Sequence, residues 1–238
     1  MAVPSLHDFP DAAPITDGGR EPASRAVTII VARSGAFLVD GTERTAFAVG
    51  PRSTPITVGY LGRPDCRELR LPPWMGRALL NVAGCDLANG VADIADLPRT
   101  PFRDALLGGP PDPLGIARTA FANWSAGRGR SDARLAAAAW AMVERDPSAD
   151  AGGIAEKLGV GARRLRQAMQ AEAGVSISTL RRLVRHERAT MLLRNAAMPL
   201  AEVALSAGYA DQSHMTREAV ALAGLPPVRL RAAMAGGP

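Results

Sequence analysis

The chain has 238 residues, a length that accommodates two small domains or one large one. Hydrophobic residues make up 47% and charged residues 21%, a composition that excludes a disordered chain, a collagen and a disulfide scaffold. The net charge of +5 is unevenly placed: up to Pro147 there are 16 arginines and 16 acidic residues, whereas from Ser148 onward there are 12 basic and 7 acidic residues. The basic excess is densest between Arg163 and Arg194, with eight arginines and two glutamates. This concentration indicates an anionic partner for the last third of the chain.

Several classes of protein and site are excluded by what the sequence lacks. Two cysteines, Cys66 and Cys85, are too few for a zinc ribbon or a disulfide framework, and we expect both to be small buried side chains. No histidine occurs between His7 and His186, which disfavours a metal site in the first half of the chain. No secretory signal begins the sequence and no apolar run approaches 18 residues. We therefore expect a cytoplasmic protein with no metal, cofactor or membrane partner.

After an N-terminal arm over residues 1–25, the first half of the chain has the pattern of short antiparallel β-strands. Apolar and polar residues alternate over residues 26–71, with interruptions that we interpret as turns at Gly35, Gly41, Gly50-Pro51, Gly62-Arg63-Pro64 and Pro72-Pro73. From Trp74 the spacing becomes helical, with a break at residues 108–111 and a further helix over Leu114–Trp124. We predict a β-rich sensor or dimerisation domain over residues 26–124 and a linker over residues 125–131.

A helix-turn-helix pattern occurs twice after residue 132. Each copy needs a small residue where two helices touch and a glycine at the turn. Ala155 and Gly159 supply them first, and Ala204 and Gly208 follow at a distance of 49 residues. The second turn is one residue longer and ends at Asp211, a favourable N-cap. The repetition predicts two helix-turn-helix units, over residues 150–172 and 200–223, in an all-α domain over residues 132–238.

A helix predicted over residues 178–195 links the two units. Its apolar side chains are expected to face the core: Leu180, Leu183, Val184, Met191 and Leu192. Its arginines are expected to remain outside: Arg181, Arg182, Arg185 and Arg188. His186 is expected at the surface, near a phosphate. A helix of about 17 residues spans roughly 25 Å, and could hold two recognition helices in successive major-groove segments about 34 Å apart.

This stretch resembles the C-terminal DNA-binding domain of the AraC/XylS family of bacterial transcription regulators. The matching residues are Ile154–Val160, Leu165, Gly174–Ser176, Leu200–Ala204, Gly208–His214 and Thr216–Glu218. The resemblance implies seven helices, in which a long helix joins two helix-turn-helix units. The chain departs from the family at Met169, Met215 and Ala219, where Phe is usual, and at Ala162, where Pro is frequent. The N-terminal half is similar, on weaker motifs, to a small cupin-like sensor domain, so the implied fold class is α+β multidomain.

Carried over residue by residue, the resemblance implies a set of DNA-binding side chains. In the first unit these are Arg163, Arg164, Arg166 and Gln167. In the second they are Gln212, Ser213, His214, Thr216 and Arg217. Leu165, Met169 and Met215 are expected to point inward. Arg pairs bidentately with guanine and Gln with adenine, whereas Ser, Thr and further arginines more often position phosphates. For phosphate positioning we expect Ser176, Thr179 and Arg181, near the free amides of the linking helix.

The function predicted from these features is sequence-specific, DNA-binding transcription regulation without catalysis. Double-stranded DNA is the principal partner, and the N-terminal domain senses a small-molecule effector or forms a homodimer. RNA polymerase is a further expected partner. Two alternatives stay open: an alkylation-repair protein with a methyl-accepting cysteine and the same DNA-binding domain, and an architectural DNA binder without an effector.

Overall fold

The computed structural model describes residues 5–9, 19–109 and 112–235. In the first half, seven described strands form one antiparallel sheet: β1 (Ser5–Phe9), β2 (Gly19–Glu21), β3 (Val27–Val39), β4 (Thr42–Arg44), β5 (Ala46–Val49), β6 (Ile56–Leu71) and β7 (Val91–Asp93). Their order is β1-β6-β3-β5-β7, with β2 also paired to β6 and β4 also paired to β3. The predicted β-rich domain followed by a helical domain is therefore the observed fold class. The N-terminal arm carries β1 and β2, and its remaining residues include some outside the described ranges.

Two of the glycines interpreted as turns lie inside long strands instead. Gly35 belongs to β3 and Gly62 to β6, with φ values of 69° and 76°. The pairing of β3 with β6 shifts register on both sides of Ser34. A glycine at positive φ beside a register shift forms a bulge, which bends a strand without ending it. The sequence therefore predicted more, shorter strands than the chain forms. Gly41, at φ 80°, does lie in the turn between β3 and β4, and Pro110-Pro111 fall outside the described residues.

The two faces of the sheet have different roles. Val27, Ile29, Leu69 and Leu71 are buried in a large core that includes residues of the helices that follow. Those helices are α1 (Met75–Leu80), α2 (Gly84–Leu87), α3 (Pro101–Leu106) and α4 (Pro113–Asn123). The other face carries Phe37, Phe47, Val58 and Cys66 and lines a cavity of about 470 Å³.

The second half is helical, as predicted. Residues 131–235 contain seven α-helices: α5 (Ser131–Arg145), α6 (Ala151–Lys157), α7 (Ala162–Ala168), α8 (Ile177–Leu193), α9 (Leu200–Ala207), α10 (Gln212–Ala223) and α11 (Pro227–Ala235). A π-helical turn over Met169–Ala173 prolongs α7, and another over Trp124–Arg128 joins α4 to the segment before α5. The predicted linker at residues 125–131 thus includes most of a helical turn.

The first helix-turn-helix unit, formed by α6 and α7, shares its core with the N-terminal half. Ile154, Leu165 and Met169 belong to the same buried cluster as Ile29 and Trp74. The second unit, formed by α9 and α10, has a smaller cluster around Val203, Ala204 and Met215. The two units are therefore attached to the rest of the molecule in different ways.

Candidate nucleic-acid interface

Both units have the turn geometry that the repeated pattern predicted. Gly159 and Gly208 adopt φ values of 64° and 92°, in the left-handed region where a glycine avoids steric cost. Ala155 is 3% exposed and Ala204 is fully buried, so a larger side chain at either position would force the paired helices apart. The local sequence thereby fixes the angle at which each second helix leaves its turn.

The first recognition helix, α7, begins after Gly161 and exposes its basic face. Leu165 and Met169 are each 1% exposed, so the predicted inward positions are confirmed. The predicted DNA-binding side chains are all exposed: Arg163, Arg164, Arg166 and Gln167. Arg164 lies 3.8 Å from the Asp132 carboxylate, a long surface pair that contributes little to stability. These guanidinium groups are presented to solvent, where an anionic strand can reach them.

The second recognition helix, α10, is capped by Asp211, whose carboxylate accepts a hydrogen bond from the His214 amide at 2.7 Å. Met215 is 1% exposed, as predicted. Gln212, Ser213 and Arg217 are exposed. His214 and Thr216 are half-buried, and their side chains make contacts inside the protein. The Thr216 hydroxyl donates to the Gln212 carbonyl at 2.9 Å, and the His214 ring packs edge-on against Tyr209 at 5.2 Å.

A buried carboxylate on the inward face of α10 was not predicted from the sequence. Glu218 is 9% exposed and accepts hydrogen bonds from Arg182 Nε at 2.9 Å and Arg185 Nη2 at 3.2 Å. His214 Nε2 lies 3.7 Å from the same carboxylate. The signal was present: Glu218 lies three residues after Met215 and four before Leu222, on the inward stripe of the helix. An acidic residue on that stripe requires a buried basic partner.

The arginines on α8 are only half-exposed, and their charged groups have partners within the protein. Arg182 and Arg185 bind Glu218, and the Arg185 guanidinium also lies 5.4 Å from the centre of the Tyr209 ring. Arg188 donates to the carbonyls of Glu144 and Arg145. These arginines connect α8 to α5 and α10, because long basic side chains on a central helix can reach the acceptors around it. Much of the local positive charge is therefore structural.

Two further predictions for α8 are corrected. His186 is 4% exposed rather than at the surface, and burial lowers the pKa of its imidazole below the usual value. Met191 is 70% exposed, and Leu193, at 2%, takes the buried position instead. Because α8 is packed on several sides, dividing it into one apolar and one polar face placed Met191 of its last turn on the wrong face.

The residues expected to position phosphates have partners within the protein. The Ser176 hydroxyl caps α8 by accepting from the Thr179 amide at 3.0 Å, and the two hydroxyls lie 2.9 Å apart. Arg181 Nε donates to the Pro147 carbonyl at 2.7 Å. The Arg181 hydrogen bond holds the start of α8 against the segment before α6.

The described residues were also compared with the predictions for metal sites, cysteines and membrane-spanning segments. They contain no group of three or more His, Cys, Asp or Glu side chains arranged to hold a metal ion. Cys66 is buried as predicted, but Cys85 is exposed, because Gly84 and Leu87 occupy the inward face of the short helix α2. Among the described helices, none combines the length and apolar character needed to cross a bilayer.

Comparisons with known proteins agree with this geometry. Residues 154–233 match the family model of the helix-turn-helix domain. The structure is similar over 99% of this chain and 98% of the other to ToxT from Vibrio cholerae O395, with a TM-score of 0.52 and 10% identity. A second structure of ToxT, bound to (E)-4-(8-methylnaphthalen-1-yl)but-3-enoic acid, gives a TM-score of 0.51 at 10% identity, over 98% of each chain.

A transcriptional regulator from Chromobacterium violaceum, described as containing an AraC-type DNA-binding domain, aligns with 44% of this chain and 96% of its own, at 20% identity and a TM-score of 0.42. The search of curated proteins gave no match. The repeated motif, the two turns and the family match together identify the second half as an AraC-type helix-turn-helix domain. The two-domain fold that contains this domain is similar to that of ToxT.

Proposed function

We propose that the protein is a sequence-specific regulator whose helices α7 and α10 read base edges in two successive segments of the major groove. The observation that carries this proposal is the pair of helix-turn-helix units on one linking helix, each presenting an exposed arginine and glutamine. Arginine and glutamine are the side chains suited to bidentate pairing with guanine and adenine. DNA recognition is thus assigned to the outer faces of two separate helices.

Within that interface, different side chains have different tasks. Arg163, Arg166, Gln167, Gln212 and Arg217 are proposed to meet bases, because they are exposed arginines and glutamines and, unlike Arg164, none of them forms an ion pair within the described residues. The remaining predicted residues are proposed to bind phosphates or to hold the recognition helices in position: Arg164, Ser213, His214 and Thr216. Ser176, Thr179 and Arg181 are proposed to bring the start of α8 to a phosphate, with their polar groups already held in place.

The N-terminal half is proposed to sense a small molecule in the cavity of about 470 Å³ behind the sheet. Aromatic rings of Phe37, Phe47 and Tyr60 line it, and the Arg52 guanidinium stands in its wall at 6% exposure. Burial lowers the pKa of Arg52 below its ordinary value, and its Nε has no hydrogen-bond partner among the described residues. An effector with an apolar body and a hydrogen-bond acceptor suits this lining. The similar fold of ToxT holds an apolar carboxylic acid.

A segment between this cavity and the second unit offers a path for the signal. Ala23 and Ser24 line the cavity, and the Ala23 amide donates to the Leu222 carbonyl of α10 at 2.6 Å. Next to them, Arg25 forms ion pairs with Glu144 and Glu187 on α5 and α8. Although burial opposes the charged form, the two carboxylates raise the pKa of Arg25. An effector that shifts this segment would change the population of DNA-competent molecules.

Further partners are proposed for the protein, and catalysis is not. A second copy of the chain and RNA polymerase are assigned as partners on the basis of the family resemblance. The protein is proposed to act by binding alone, because Cys66 is buried and no metal-holding group of side chains surrounds Cys85 within the described residues. Mass spectrometry after exposure to methylated DNA would overturn this assignment if it detected a methylated cysteine.

DNA fragments selected from a genomic library by the full-length protein test the proposed recognition. Fluorescence anisotropy then compares a selected fragment with a shuffled duplex of the same composition over a series of salt concentrations. We expect tighter binding to the selected fragment by about 10³-fold or more, and an affinity that falls steeply with salt. Equal affinity for the two duplexes would instead support an architectural DNA binder.

A further inference from the structure

A second cavity, of about 450 Å³, opens where the N-terminal helices meet the DNA-binding domain. Trp74 and Arg77 line it from the start of α1, and Trp124, Arg128 and Arg130 line it from the segment that leads into α5. Glu172, from the turn that prolongs the first recognition helix, completes its wall. The cavity is thus built by both halves of the protein and shares no lining residue with the cavity behind the sheet.

The charge balance in this cavity favours an anion. Three arginines and one glutamate line it. The Glu172 carboxylate lies 3.5 Å from Arg130 Nε and 3.9 Å from Arg77 Nε, and its side chain is 3% exposed. Hydrogen bonds between nitrogen and oxygen are shorter than these distances. The Glu172 carboxylate therefore attracts the Arg77 and Arg130 guanidinium groups to the cavity. It leaves most of their hydrogen-bond donors free to bind another acceptor.

Unsatisfied polar atoms are concentrated around the same cavity. Within the described residues, four buried side-chain atoms that lack a hydrogen-bond partner belong to its lining: Trp74 Nε1, Trp124 Nε1, Arg77 Nε and Glu172 Oε2. Buried polar atoms are seldom left without partners, because each costs free energy. Three of the four are donors, the groups that an oxyanion would satisfy after small side-chain rotations. The two indole rings are stacked, with centroids 5.9 Å apart, and form part of the apolar lining of the cavity.

We propose that this cavity is a binding site for a small organic oxyanion, a carboxylate or phosphonate attached to a flat apolar group. Arg77, Arg128 and Arg130 bind the oxyanion, and the stacked Trp74 and Trp124 rings pack against the apolar part. A ligand bound here contacts α1 on one side and the Glu172 turn on the other. It therefore ties the N-terminal half to the helix that carries Arg163 and Arg166, and gives the regulator an input separate from the cavity behind the sheet.

Tryptophan fluorescence of the full-length protein tests the site directly. Of the three tryptophans in the chain, Trp74 and Trp124 line the cavity, and Trp140 contacts Trp74 at 5.5 Å between ring centroids. Phenylphosphonate is the probe, with inorganic phosphate as an oxyanion that lacks the ring and benzyl alcohol as an aromatic compound that lacks the charge. We expect saturable quenching by phenylphosphonate with a dissociation constant of about 1 mM or tighter, at least tenfold weaker binding of inorganic phosphate, and no saturable effect of benzyl alcohol.

Three variants locate the binding. Arg77→Gln and Arg128→Gln should each weaken phenylphosphonate binding by about tenfold or more, since each removes charge-assisted hydrogen bonds. Arg128 is exposed, and its guanidinium is hydrogen-bonded to the Asn123 side chain at 2.6 Å, so its replacement leaves the fold intact. Arg99→Gln is the matched control, because this arginine is 83% exposed and lies outside the cavity. Its affinity for phenylphosphonate should equal that of the unmodified protein.

Several results would overturn the proposal. They are the absence of saturable quenching by phenylphosphonate, equal loss of binding in the control variant, or binding of inorganic phosphate as tight as that of phenylphosphonate. Weakened binding of random duplex DNA by Arg128→Gln, with phenylphosphonate binding unchanged, would assign these arginines to the DNA backbone instead. Quenching that persists in a protein without sequence-specific DNA binding would uphold the site while refuting the proposed function.

Discussion

The two helix-turn-helix units have the same local pattern but are anchored differently. In the first, the core is continuous with that of the N-terminal half, and backbones touch: a Cβ atom placed on Gly84 would lie 2.4 Å from the Glu172 carbonyl oxygen. In the second, the apolar cluster is small, and the recognition helix is joined to α8 through the buried Glu218. Motif repetition therefore does not imply equivalent packing.

This difference has consequences for regulation. The first unit moves with the N-terminal half, because packed cores transmit displacement rather than absorbing it. The second unit has smaller apolar clusters, and its recognition helix is held to α8 by Leu222 as well as by charged hydrogen bonds to Glu218. We expect the first unit to respond to events at its packed junction with the N-terminal half. The second should respond through the single Ala23–Leu222 backbone contact and through changes in its own polar network.

Replacing the buried carboxylate of the second unit should have the largest effect. Glu218→Ala leaves the largely buried Arg185 guanidinium without its partner, and breaking a buried ion pair in this way typically costs about 3–5 kcal/mol. Glu218→Gln, which keeps the shape and some hydrogen bonds, should cost less. Urea unfolding of the full-length protein, followed by circular dichroism, gives the free energies of unfolding.

The matched control for this change is Glu202→Ala, on the exposed face of α9 in the same unit. A surface substitution of this kind should stay within about 0.5 kcal/mol of the unmodified protein. If Glu218→Ala were no more destabilising than Glu202→Ala, the network would not anchor the second recognition helix.

Separating the backbones at the junction of the first unit should have the next largest effect. Gly84→Ala forces a methyl group against the Glu172 carbonyl, and overpacking of this kind costs about 1–3 kcal/mol. Gly161→Ala is the control, since a Cβ there meets nothing within 4 Å. Thermal unfolding measures both, and equal stability of the two variants would show that the domains do not rely on this contact.

Replacing a single arginine on a recognition helix should weaken DNA binding by a free energy comparable to, or smaller than, the loss of stability expected for Gly84→Ala. Arg166→Ala and Arg217→Ala are each expected to weaken binding to the selected fragment by about 1–3 kcal/mol if the side chain reads a base. Arg99→Ala should change nothing. An equal loss on selected and shuffled duplexes would reassign the arginine to phosphate contacts.

The linking helix should give the stability of the protein a small dependence on pH. Burial holds the pKa of His186 below its unfolded value, so at pH values between the two the unfolded chain binds more protons than the folded protein. Stability therefore falls as the pH decreases below about 6.5, by at most about 1.4 kcal/mol per pH unit from this group. Unfolding of the unmodified protein and of His186→Leu between about pH 5 and 8 should show a shallower slope for the variant. Identical slopes would mean that His186 is protonated to the same extent in both states.

Local sequence was sufficient for elements whose interactions lie close together in the chain. Spacing located both turns, the Asp211 cap and the inward Met215, because each depends on residues within one or two helical turns. Local sequence could not identify the partner of Arg182 and Arg185, since Glu218 is more than 30 residues away from both. Helical periodicity separates faces but cannot say what each face meets, and so Met191 and His186 were assigned to the wrong sides. The bulges at Gly35 and Gly62 likewise depend on strand pairing that a single strand does not encode.

Chemical footprinting of the selected DNA fragment tests the central claim, that the two units read successive major-groove segments, most directly. The full-length protein should protect two segments about 10 base pairs apart, one helical turn of DNA. Arg166→Ala should weaken protection of one segment and Arg217→Ala that of the other. A single protected segment, or the same segment lost in both variants, would contradict the account.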